Sequence, residues 1–284
     1  MPNAKGPKRR RKRDSMEQER NPKHTPDDAE LTNALAKTKW GKTYLTNFLD
    51  SAERNLRISY VNLKGYFEMF ESLGELFKMA VESVGYSDES SFAIAALLGR
   101  ACGNYFAAVR LSSSGQLAEC YAQLRACLED ALYAFNIHSD PTLAKVWFDR
   151  HQNDDSRKKS IKQFKPIDIL EKLRQKNLSL GLEAAKDYDK CIDFGAHPNE
   201  RSVTSNLRLS NGKISLELFN TQKGMFEACL LVCVMCGSDA IRIFNLIYPN
   251  EFKRINVGQR IQNIQVQFGR IAPGPVYNLR HEAL

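Results

Sequence analysis

Arg125 and Glu129 lie four residues apart in an alanine- and leucine-rich stretch, so a helix there sets both on one face. Charges on a face otherwise suited to burial are costly unless they pair or serve a site. They read either as an ion pair between helices or as part of a functional site. A second stretch, Asp193-Phe-Gly-Ala-His197-Pro-Asn-Glu-Arg201, closes a helix on a histidine, and Pro198 turns the chain. Histidine titrates near neutrality and suits general acid–base work, while Arg201 can stabilise an anion. The plainer reading is a histidine that fixes a helix end through hydrogen bonds.

Seven cysteines, an odd number without a framework of spacings, fit a reducing compartment and a cytoplasmic location. Cys229, Cys233 and Cys236 fall on one face of the most apolar stretch. A structural zinc site needs four thiolates or imidazoles, normally with a second close pair, and none is apparent. Core packing is therefore expected for these three and for Cys120 and Cys127, with no metal and no cofactor. The sequence has no phosphate loop, dinucleotide fingerprint, His-Glu-x-x-His pair or nucleophile elbow.

The formal charge is +8, but its distribution is uneven. Lys5, Lys8, Arg9, Arg10, Arg11, Lys12 and Arg13 contribute seven positive charges with no acidic residue among positions 1–13, which leaves the other 271 residues at +1. Such a block is expected to be disordered and to attract polyanions through counterion release, without reading sequence. Nucleic acid is the expected partner, and anionic lipid headgroups share the chemistry. Residues 14–28 stay polar and extend this leader, so 1–28 reads as a basic tail and 29–284 as a single folded domain.

The elements that must position the candidate residues are mainly helical. Residues 28–50 carry loosely helical apolar spacing, and 52–84 form the strongest stripe in the chain, from Leu56 to Ala80 in steps of three and four. Residues 91–111 read as a helix buried on most sides, and the break at Ser112–Gly115 leads into 116–137 as the second arm of an antiparallel hairpin. Asp140-Pro141 opens a short helix, 152–165 is an exposed connection or helix start, and 166–176 and 182–194 are amphipathic helices. Asn211-Gly212, flanked by alternating apolar residues, marks a β-hairpin inserted at about 204–218, whose Leu207, Leu209, Ile214, Leu216 and Leu218 must pack on the helices. Residues 221–248 return to a long apolar helix. No uninterrupted apolar run near eighteen residues is present, so no membrane span is expected. The fold class is a mainly-α multi-helix bundle with one inserted hairpin.

Two stretches together resemble a group of uncharacterised bacterial helical proteins. These are 99–141, with its Leu124-Arg125-Ala-Cys-Leu-Glu129 core, and the later Phe-Gly-Ala-His197-Pro198 element. That group is loosely similar to HEPN-type and abortive-infection domains. The resemblance covers about residues 90–205 and implies a helical fold with a defence- or stress-related role. HEPN ribonucleases pair an arginine with a histidine across four to six intervening residues, and no histidine here has that spacing. Three functional readings follow. The first is a non-catalytic helical protein whose tail binds nucleic acid. The second is a metal-independent ribonuclease using His197 with Arg125 or Arg201, and Glu129 beside them. The third is an interaction scaffold, a homodimer through its apolar helices.

Overall fold

A computed structural model describes residues 41–196, 200–204 and 206–272. The chain divides into two compact units, 1–46 and 47–284. Of the first, only 41–46 is described, where the Thr43 and Thr46 hydroxyls share a 3.2 Å hydrogen bond. The second unit is mainly helical.

Helix α1 (Tyr44–Asn62) and helix α2 (Lys64–Ser83) replace the single helix expected over 52–84. The break is at Leu63 (φ −118°, ψ 42°), next to Asn62, whose side-chain amide donates to the Ile58 carbonyl. The apolar spacing runs on through this one-residue interruption, because periodicity reports which face is buried and not whether the axis turns. Helix α3 (Glu89–Ser114) starts in a reciprocal cap: the Ser91 amide donates to the Asp88 carboxylate and the Asp88 amide donates to the Ser91 hydroxyl. It runs three residues beyond the expected end and stops at Gly115, whose φ of +89° suits glycine. Contrary to expectation α3 is not buried on most sides, for Phe92 and Phe106 are 45% and 49% exposed. Helix α4 (Leu117–Ser139) returns along α3 after a two-residue connection.

Helix α5 (Leu143–Phe148) begins two residues later than Asp140-Pro141 predicts. Asp140 instead accepts from the Thr142 amide and hydroxyl, a local turn ahead of the helix. Helices α6 (Asp154–Gln163), α7 (Pro166–Lys176) and α8 (Leu178–Cys191) follow, and α7 and α8 pair across Asn177, which caps α8 by accepting from the Leu180 amide. A wide turn, Ile192–Ala196, and the short helix α9 (Glu200–Thr204) lead to strands β1 (Leu207–Ser210) and β2 (Lys213–Leu216), paired antiparallel with Leu209 opposite Ile214. The expected seating of the strand side chains on the helices is not found in β2, where Ile214 and Leu216 are 70% and 60% exposed. Anchorage comes after the strands instead. Phe219 stacks on Phe48 at 4.9 Å, and the buried Asn220 donates its amide to the Gly115 carbonyl.

Helix α10 (Lys223–Ile247) packs against α2, α3, α4 and α8, and forms the centre of the core. Pro249 ends it and also occupies the first turn of α11 (Pro249–Arg254), ahead of α12 (Val257–Ile271) on α2. By length and composition α3 and α10 reach what a membrane span requires, although neither contains an uninterrupted apolar run near eighteen residues; the most apolar window of α10 is 78% buried inside the protein.

Candidate functional site

The middle of α4 concentrates ionisable groups on two faces. On one, Arg125 donates through Nε to Glu129 Oε1 at 2.8 Å and to the Tyr188 hydroxyl of α8 at 3.2 Å. The Tyr188 hydroxyl donates to the same Glu129 oxygen at 2.7 Å. The expected proximity of Arg125 and Glu129 is present, within one helix, with a phenol from another helix completing the cluster. Burial and the neighbouring Glu129 carboxylate push the Tyr188 phenol well above its ordinary range, so it holds its proton and acts as a donor. Burial opposes the charge on Arg125, but Glu129 and Tyr188 outweigh it and keep the guanidinium protonated. Its ring-facing carbon lies 5.6 Å from the Tyr188 centroid. The two charged side chains keep 25% and 24% exposure, so both are partly open to solvent. Tyr133, one turn on from Glu129, is also raised, by burial first and then by that carboxylate, and Arg150 bears on it from beyond α5.

On the other face Asp130 is almost fully buried. It accepts from the Asn104 amide at 2.8 Å and lies 3.6 Å from the Arg100 guanidinium. Burial dominates these partners and pushes its pKa up to about 7. Sequence reasoning passed over Asp130, although the signal used for Arg125, a charge in an apolar helix, applies to it equally.

The turn after α8 comes hard against α4. A Cβ on Gly195 would run into the Ala118 carbonyl oxygen, so only glycine fits there. The adjacent Phe194 packs on Tyr121 with ring centroids 5.4 Å apart. Arg201 lies over Phe194 at 5.8 Å and pairs with Asp193 at 3.7 Å, and both charged side chains are more than half exposed. Arg201 therefore faces Phe194, which sits against the turn of α4 before Arg125. His197 and its neighbours Pro198 and Asn199 lie outside the described residues, as do the seven basic residues Lys5 to Arg13. The cysteines expected in the core are buried, and they are not dispersed there: Cys120 of α4 meets Cys229 and Cys233 of α10, an arrangement missed in the sequence because Cys120 lies 113 residues from Cys233.

Compared with protein families, curated proteins and solved structures, the chain matches none.

Proposed function

We propose that this is a non-catalytic helical protein that binds nucleic acid through its basic first segment. The observation that carries this reading is the charge distribution, seven positive charges and no acid in residues 1–13 against +1 in all the rest. The candidate groups of the body support it from the other side. Arg125, Glu129 and Tyr188 hydrogen-bond one another, and Arg201 pairs with Asp193, so their strongest interactions are internal. The inserted hairpin at about 204–218 is part of the same proposal, as an arm of the body, and the positive φ of Asn211 and Gly212 supports it. The test is RNA retention by the full chain and by a chain lacking 1–13 across a salt series. Seven phosphate contacts give a slope of log affinity against log salt of roughly −5 on single strands, lost on deletion. Equal affinity of the two chains overturns the reading.

A second reading, metal-independent RNA cleavage by His197 with Arg125 or Arg201, is favoured by Arg201 lying over Phe194, whose ring packs on Tyr121, one turn before Arg125 in α4. It predicts cleavage in the presence of chelator by the unmodified chain and none by His197→Ala. Full activity in that variant, or none in either chain, ends it.

A further inference from the structure

Helices α4 and α10 pack along much of their length, and where they meet three thiols converge. Cys229 and Cys233 stand one turn apart on α10, so their sulfurs face the same way, and Cys120 comes from the opposite helix. The three Sγ atoms lie within 4.8 Å of one another, with Cys120 and Cys233 3.4 Å apart, and all three residues are closed to solvent. A point equidistant from three sulfurs about 4.0 Å apart is about 2.3 Å from each, the length of a metal–thiolate bond. The observed spacing brackets that value, so a metal ion can enter between the two helices with shifts of a few tenths of an ångström.

Coordination number and donor softness narrow the ion. Zinc in a structural site takes four ligands, and this group offers three thiols among the described residues. Soft thiolate donors select monovalent copper, which accepts fewer ligands. We propose that Cys120, Cys229 and Cys233 form a buried three-sulfur site for a soft monovalent metal ion, Cu(I). On binding, the three thiols release three protons to solvent as three Cu–S bonds form, and no oxidation state changes.

A second thiol contact supplies an internal control. Cys191 and Cys236 lie 3.8 Å apart elsewhere along α10, with two sulfurs only. The experiment is an anaerobic titration of the reduced full chain with Cu(I), delivered as its acetonitrile complex in competition with a chromogenic chelator. X-ray absorption on the loaded protein counts the sulfurs. The expected result is one tightly held ion with three sulfurs at about 2.3 Å. Affinity should fall about 100-fold or more in Cys229→Ala and Cys120→Ala and stay within about threefold in Cys191→Ala. Circular dichroism establishes that each variant is folded, and the sulfur count on the unmodified chain is independent of any variant. Failure to compete with the chelator, a two-sulfur shell, or unchanged affinity in folded Cys229→Ala overturns the proposal. So does zinc bound in preference through a fourth, nitrogen or oxygen, ligand.

Discussion

A carboxyl group with little access to water holds its proton to higher pH than a solvated one, and Asp130 is the clearest case in this molecule. Its pKa rises from 3.8 to about 7, with burial outweighing Arg100 and Asn104 and with Glu129 adding to the rise. The folded state therefore binds the proton more tightly than the unfolded chain. That contribution to stability is complete below pH 4 and is lost as pH rises towards 7, on the order of 4 kcal/mol in all. Asp130→Asn keeps an acceptor for Asn104 and removes the titration. Urea denaturation at pH 4 to 8 should show the variant gaining on the parent as pH rises through that window, and parallel profiles would contradict the assignment. The Arg125 cluster admits a different check. Tyr188→Phe and Glu129→Gln should each cost about 1–2 kcal/mol. Because both act on one hydrogen-bonded cluster, the double variant should fall short of the sum by at least about 0.5 kcal/mol. Arg125 and Glu129 were legible in the sequence because a four-residue spacing fixes their shared face. Tyr188 was not, because spacing names a face and never the side chain opposite. The three thiols divide in the same way: Cys229 and Cys233 share a readable face, and Cys120 joins them only through the packing of α4 on α10.

At the scale of elements, the helices came through the sequence and their ends only in part. Residues 166–176 were bounded correctly because Pro166 starts the helix and fixes the first turn. The break at Leu63 carries no proline or glycine of its own, and the long stripe hid it. At Asn211 and Gly212 the positive φ agrees with residue types that suit it, whereas the burial of the alternating segments around them was inferred from alternation alone. Alternation says that two faces differ and leaves open whether either is covered. Two substitutions separate these cases. Ile214→Thr replaces a side chain that is 70% exposed and should change stability by less than about 0.5 kcal/mol. Gly195→Ala forces a methyl group towards the Ala118 carbonyl and should cost about 1–3 kcal/mol, read by thermal or urea melting. A neutral Gly195→Ala would mean that the turn after α8 does not press on α4 as described.

For the molecule as a whole, the distribution of burial sets the order in which it opens. Helix α10 is covered by α2, α3, α4 and α8, and most of its residues from Cys229 to Phe244 are buried. Such an apolar helix suits either the centre of a folded body or a bilayer, and here its neighbours supply the apolar surroundings. The part of helix α1 in the same unit, from Asn47 on, is the opposite case: Ile58, Tyr60 and Val61 are 51%, 54% and 74% exposed, and Ser59 is its one buried residue. Few buried contacts and many accessible backbone hydrogen bonds place an element at the low end of local stability. Amides of α10 and of the buried face of α4 should therefore exchange with solvent only through global unfolding. Their opening free energy should equal that from denaturant melting at the same pH. Those of residues 49–61 should open locally, at several kcal/mol less, on the scale that separates fraying segments from cores. Hydrogen exchange read by mass spectrometry resolves both sets in one experiment. Uniform protection across α1 and α10 would mean that α1 is held by contacts beyond those of the described residues, while local opening of α10 would remove the core helix on which the thiol cluster depends.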